Sequence, residues 1–324
     1  MKQNKTQSAA SRRLQRQKLA GSWKKSLRNY WQLYLLLIPV VLNFVIFHYV
    51  PMGGIQIAFK DFSLKEGIWG SEWVGFEHFE RFFKANNFWT ILGNTLTLSL
   101  LSLAFSFPLS VALALLLNEI RHKKLNSLLQ TVFIAPHFVS TVVVVGMMQA
   151  FLSPETGIVN ILLQKLGLIE EGIYFTRLEE WFRPMYIISG LWQNLGWSAV
   201  IYLSALTAID PGLYEAAAID GASRWQQLWR ITLPSIMPTI MIQLILKCGH
   251  IMSVGYEKVL LMQKSTNLSV SEIISTFVYA KGIGAENPRY DYATAIGLFN
   301  SVVNLIVLLV VNRIAKKRSE VSLF

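Results

Sequence analysis

Six stretches of this 324-residue chain run apolar for about 20 residues each, the length at which a helix crosses the hydrocarbon of a bilayer. Inside lipid every backbone N–H and C=O must be satisfied within the segment, so runs this long are read as helices. Hydrophobic residues make up 53% of the chain and charged ones 15%, which excludes an ordinary soluble globular protein. The spans are expected at about Trp31 to Val50, Gly93 to Leu117, Leu128 to Leu152, Met185 to Ala208, Ser235 to Tyr256 and Tyr292 to Val311. Tyr30, Trp31, Tyr34, Tyr49, Trp89, Tyr186, Tyr256 and Tyr292 mark span ends, where amphipathic rings favour the interface. The expectation is an all-α membrane protein with six transmembrane helices.

Charge orients the bundle. With the N-terminus in the cytoplasm, the inside segments hold about 18 Lys/Arg against about 5 Asp/Glu, and the outside loops about 11 against about 14. The net charge of +11 is therefore a topology signal. Nucleic-acid binding is excluded, because no basic patch interleaved with aromatic or polar readers is present. The first apolar run lacks a small-residue cleavage pattern, so a retained span is expected rather than a signal peptide. The lone cysteine, Cys248, sits in an apolar segment and supplies neither a disulfide nor a metal site. In the first outside loop, WVGFEHFERFF places Phe76, Phe79 and Phe83 on one helical face, suited to an interfacial helix or to packing on neighbouring spans.

Between the fourth and fifth spans lies EAAAIDGASRWQQLWRITLP, Glu215 to Pro234. Asp210 and Pro211 fit an N-cap followed by proline at the first helical position. A two-turn helix ending at Asp220 follows, with Gly221 where a left-handed cap needs it. Ser223 and Gln226 read as the capping box of a second short helix, whose Trp225, Leu228 and Trp229 share a face. Pro234 and Pro238 then punctuate the start of the fifth span. Two short helices joined at a glycine make a compact knob with small side chains, suited to close approach by another protein. A capped cytoplasmic loop with no partner is the plainer alternative.

The spacing resembles the EAA motif (E-A-A-x3-G-x9-I-x-L-P) of permease subunits of ATP-binding-cassette importers. Seven positions match: Glu215, Ala216, Ala217, Gly221, Ile231, Leu233 and Pro234. The segments YVPMGGIQIAFKDF, WVGFEHF, GNTL and NRIAKKRSEVSLF are similar to the carbohydrate-uptake, maltose-like branch, in particular to permeases serving polysaccharide fragments in Gram-positive bacteria. The resemblance implies a type I importer permease fold, with a basic cytoplasmic tail over 1–29, a six-helix permease domain over 30–312 with its coupling loop at 209–234, and a cytoplasmic tail over 313–324. It implies that Glu215 to Gly221, including Asp220, is a coupling helix seated on a cytoplasmic ATPase. It also implies a second homologous permease as heterodimer partner, an extracytoplasmic sugar-binding lipoprotein and a location in the bacterial plasma membrane. The chain has no phosphate-binding loop, so it holds no cofactor of its own, and ATP with Mg belongs to the partner ATPase.

Polar groups within spans are candidates for the pathway. Gln243, Lys247 and His250 fall on one stripe of the fifth span, offering hydrogen bonds and a positive charge to a hydroxyl-rich, uronate-bearing sugar. A snorkelling lysine and a satisfied core histidine are the plainer alternative. Trp192, Gln193, Asn194 and Trp197 on the fourth span suit sugar stacking or helix packing. Asn300 and Asn304 suit the pathway or interhelical hydrogen bonds. Glu257 reads as a solvated charge, and His137 receives no role. No catalytic or metal-ligating constellation is present, against a membrane enzyme. A permease for a non-sugar solute is the other alternative.

Overall fold

The computed structural model describes residues 28–319; the basic tail through residue 27 and the last five residues, on which part of the charge argument rests, lie outside the described residues. The chain divides into two units, Met1–Ile57 and Ala58–Phe324. In the first, helix α1 (Trp31–Phe44) passes through a π turn, Val45–Tyr49, into the short helix Val50–Met52.

The second unit is built on helices, joined by shorter ones such as Ile158–Lys165. The ones that position the features below are α2 (Glu77–Phe83), α3 (Phe88–Asn118), α4 (Lys123–Ile134), α5 (Thr141–Phe151), α6 (Glu179–Thr207) and α7 (Pro211–Ile219). α8 (Arg224–Cys248), α9 (Tyr256–Met262), α10 (Ile274–Gly282) and α11 (Tyr290–Ser319) follow. A two-residue ribbon, β1 (Lys60–Asp61) antiparallel to β2 (Glu72–Trp73), closes the loop before α2. Among the described residues, four helices are long and apolar enough to cross a membrane: Trp31–Phe59, Phe88–Asn118, Arg224–Cys248 and Tyr290–Lys317. A fifth arises if Lys123–Phe138 and Thr141–Phe151, bent by 97°, form one broken span. The fourth expected span lies inside α6, whose 29 residues reach about 43 Å at 1.5 Å each. Length suffices there, but Glu179, Glu180, Arg183, Gln193 and Asn194 make α6 more polar than the other four.

Three departures from the expected spans have local causes. The third span breaks because Pro136 turns the chain into a 3-10 segment, Ala135–Phe138, and Ser140 then caps α5 by accepting from Val143 N–H at 3.4 Å. Gln193 Nε2 donates to the carbonyl of Val139 at this bend, 2.8 Å away, so the broken ladder leaves no orphan there. The fifth span ends at Cys248 rather than near Tyr256, and a turn carries residues 249–252. Asn304 on α11 holds that turn: its Oδ1 accepts from Met252 N–H at 2.8 Å and its Nδ2 donates to Ser253 Oγ at 2.9 Å. Finally, Pro234 is not a stop. The second short helix of the knob runs through a π turn, Leu228–Thr232, straight into the fifth span. Proline's ring clashes with the carbonyl four residues back, here Arg230, and one wider turn relieves the clash without ending the helix. Val45–Tyr49 stands in the same relation to Pro51.

Packing follows from close approach as much as from apolar volume. Gly196 of α6 lies against the backbone of Phe133 in α4, where a Cβ would overlap the Phe133 carbonyl. Leu113, Ala114 and Leu117 of α3 join Ala199, Tyr202 and Leu206 of α6 and Ile236 and Ile240 of α8 in one core near the knob. At the opposite end of α3, Phe88 and Ile91 pack with Phe82, Phe277, Tyr292 and Ile296. In α2 the buried side chains are His78 and Phe82, whereas Phe76 and Phe83 are exposed on one side while touching neighbouring rings, Phe76 against Phe59 and Phe83 against Phe88 and Phe299. His78 Nε2 lies 2.9 Å from the Lys60 carbonyl and 3.5 Å from Asp291, which in turn holds Arg289 through two bonds of 3.1 Å. That network fastens the loop before α2 to the start of α11.

Candidate functional site

Two features stand out: a knob at one end of the unit and a pair of polar recesses between its helices.

The knob forms as its caps dictate. Asp210 Oδ1 accepts from Gly212 N–H at 2.9 Å, and Pro211 occupies the first position of α7. Gly221 has φ +77°, its N–H donates to the Ala218 carbonyl at 3.1 Å, and Ala222 N–H donates to Ala217 at 2.9 Å. This is the paired-bond cap that a left-handed residue closes. Ser223 and Gln226 complete a reciprocal capping box, at 3.3 and 2.7 Å. No residue of α7 is buried, and Leu213, Glu215, Ala216 and Ile219 face outward, Ile219 with 88% of its surface free. Ala217 is half-buried and Asp220 exposed. Two ties brace this element: Tyr214 OH meets Thr232 Oγ1 at 2.9 Å, and Arg224 donates to Glu119 at the end of α3, 3.3 Å away. Ile231 and Leu233 are half-buried around the π turn and Pro234 is exposed. Trp225 and Trp229 stack edge to face with each other and remain exposed, so their face is not turned to the core.

The smaller recess, about 180 Å³, is lined by Ser99, Ser102 and Ser106 of α3 with Tyr186, Lys247, His250 and Ser253. The larger, about 480 Å³, is lined by His137, Gln193, Asn194, Glu257 and Lys258 among others. Tyr186 and Gly255 line both. His137 Nδ1 lies 3.0 Å from Asn194 Oδ1, which can only accept, so Nδ1 carries a proton and Nε2 points away from this bond. Trp197 stacks on the His137 ring at 4.6 Å with planes 4° apart, half of its surface open. Lys258 is buried, donates to the Tyr186 carbonyl at 2.9 Å and lies 4.7 Å from the Tyr186 ring centre. Burial pushes its pKa down to about 8. These groups offer donors, acceptors and two cations around a concave surface, with stacked rings at its edge.

The expected pathway residues divide. Lys247 and His250 meet in the smaller recess, though His250 sits in the turn after α8 rather than on its helical stripe. Asn194 lines the larger recess, and Trp197 reaches it through His137. Trp192 lines a separate apolar cavity of about 690 Å³ with Met148, Phe151 and Trp181. Gln243 is half-buried on α8 and lines neither recess. Asn300 Oδ1 is buried without a hydrogen-bond partner on α11, also outside both recesses. Sequence reasoning passed over Ser99, Ser102 and Ser106, whose three- and four-residue spacing signals one helix face. It also left His137, Glu257 and Lys258 without a role, and nothing in their local sequence marks them.

Residues 106–320 match the family described as binding-protein-dependent transport system inner membrane component. Protein LplB of Bacillus subtilis (strain 168) is 45% identical over 94% of this chain and 94% of its own length. The polygalacturonan/rhamnogalacturonan transport system permease protein YteP of the same organism is 46% identical over 90% of each chain. A crystal structure of a bacterial ABC transporter involved in import of the acidic polysaccharide alginate superposes with a TM-score of 0.82 at 43% identity, covering 91% of this chain and 98% of that one. A second structure, of the bacterial alginate ABC transporter in complex with an alginate pentasaccharide-bound periplasmic protein, gives 0.83 at 42%, covering 92% and 99%. The chain belongs to the family of binding-protein-dependent transport system inner membrane components and is a multi-pass permease subunit of an ABC transporter.

Proposed function

We propose that this chain lines the path of an ATP-driven importer for polysaccharide fragments bearing uronate residues. The observation that carries the reading is near full-length similarity to permeases whose named substrates are polygalacturonan/rhamnogalacturonan and alginate, joined to a pair of polar recesses between the helices. In this reading six helices span the plasma membrane, α6 among them, and both termini are cytoplasmic. The permease domain covers 30–312, between cytoplasmic tails over 1–29 and 313–324.

The knob over 209–234 is the coupling element. Glu215, Ala216, Ala217, Asp220 and Gly221 present the docking surface, and Ile231, Leu233 and Pro234 transmit its motion through the π turn into α8. Its partner is a cytoplasmic ATPase that binds ATP and Mg. A second permease completes the pathway, an extracytoplasmic lipoprotein delivers the sugar, and lipid surrounds the bundle. Closure of the ATPase dimer then rocks one packed arrangement of the bundle into another. Lys247, His250, Asn194 and Trp197 contact the sugar; Trp192, Gln243 and Asn300 face other surroundings in the arrangement described here.

The test is reconstitution of the complete transporter in proteoliposomes. Uptake of acidic oligosaccharide that requires ATP and the binding protein is the expected result. An ATP-dependent complex that moves an unrelated solute and ignores oligosaccharides would overturn it.

A further inference from the structure

Lys258 is a buried ammonium with 8% of its surface exposed. Of its three donors one is used, toward the Tyr186 carbonyl, and among the described residues no carboxylate lies within ion-pairing distance of it. A cation withdrawn from water without a counterion is unfavourable, and in a transport protein that arrangement marks a place where an anion arrives. The ammonium borders the larger recess, whose volume lies within the range of small-ligand sites.

Its surroundings suit one class of anion. Glu257 on the same wall is exposed and its carboxyl oxygens accept, fit for hydroxyl donors. His137 keeps a second ring nitrogen free for a hydroxyl, and the His137–Trp197 stack offers a flat aromatic edge. A carboxylate attached to a ring of hydroxyls uses all of these at once. The position is also built: a Cβ at Gly190 of α6 would stand 3.2 Å from the Lys258 Nζ, and the Gly190 carbonyl accepts from Asn194 Nδ2 at 3.2 Å. One turn of α6 thus makes room for the lysine and registers the amide beside it. Lys247 borders the smaller recess instead.

We propose that Lys258 reads the charge of the cargo, its ammonium taking the carboxylate of a uronate residue seated in the larger recess. This rests on the permease reading above. The experiment compares uptake of an acidic oligogalacturonate with that of its carboxyl-reduced, neutral counterpart of equal length, using the complete transporter in proteoliposomes. Lys258→Met keeps the stem and removes the charge, and is expected to lower the acidic-to-neutral ratio by tenfold or more while neutral uptake holds. Lys258→Arg, which retains the charge, is expected to preserve most of the ratio. If Lys258→Met leaves the ratio unchanged, or lowers both uptakes equally while Lys258→Arg does the same, the assignment is overturned and the permease reading stands. If the wild-type complex moves neither sugar, the proposed oligosaccharide cargo falls, and the assignment with it.

Discussion

Gly221 sets the geometry of the knob proposed to couple to the ATPase, and its substitution should follow a defined order. Its φ of +77° is open to glycine, tolerable for asparagine, strained for alanine and closed to proline. For alanine the left-handed conformation costs about 1–2 kcal/mol. Proline, fixed near −65°, also loses the N–H that bonds Ala218, for about 3 kcal/mol or more. Because α7 buries no side chain, little packing opposes its rearrangement, and the whole cost falls on the population of the docking-competent form. At about 1.4 kcal/mol per tenfold, affinity for the ATPase should drop roughly 5- to 30-fold for Gly221→Ala and over about 100-fold for Gly221→Pro. Gly221→Asn should lose only a few-fold. The assay is equilibrium binding of the purified ATPase to the detergent-solubilised permease pair, with ATP-dependent uptake measured in parallel. A steric effect at the interface would rank the variants by size, with alanine mildest. Finding alanine better than asparagine, or proline equal to glycine, would refute the argument.

Three further outcomes are expected. Gly196→Ala drives a methyl into the Phe133 backbone and should destabilise the α4–α6 contact by about 1–3 kcal/mol, read as a lower thermal midpoint in detergent. Asn304→Leu leaves the Met252 N–H unpaired at the end of the fifth span and should cost about 1–3 kcal/mol, with faster hydrogen exchange confined to residues 249–255. Raising pH from 7 to 9 carries Lys258 from mostly charged to mostly neutral across its pKa of about 8, so uptake of acidic cargo should fall about tenfold. The neutral analogue meets the same His137, Glu257, Tyr186 and Lys247 and serves as the control, and Lys258→Arg should flatten the profile.

Short-range signals were the legible part of this chain. The caps at Asp210, Gly221 and Ser223 depend on a few adjacent side chains and formed as their spacing required. Apolar length located the strongest spans. What the sequence hid is set by distant partners. The end of the fifth span at Cys248 is held by Asn304, more than fifty residues on, and the bend at Val139 is satisfied by Gln193 of another helix. The polar residues of α6 look like interruptions of an apolar run, yet Gln193 and Asn194 are employed against neighbouring helices and the larger recess. His137 and Lys258 become meaningful only once the bend in the third span and the start of α9 meet on either side of Tyr186. Pro234 stands at the start of the fifth span as expected, but the turn before it widens and lets the knob's second helix continue through it.

Tyr186 and Gly255 form a common partition between the two hollows. On the proposed reading, a string of linked rings long enough to occupy both would have one ring still gripped while its neighbour lets go, so no single step would set the whole molecule adrift. Advance by one ring would then repeat the same local exchange, whatever the total length, and a monosaccharide, touching one hollow at a time, would have no such handhold.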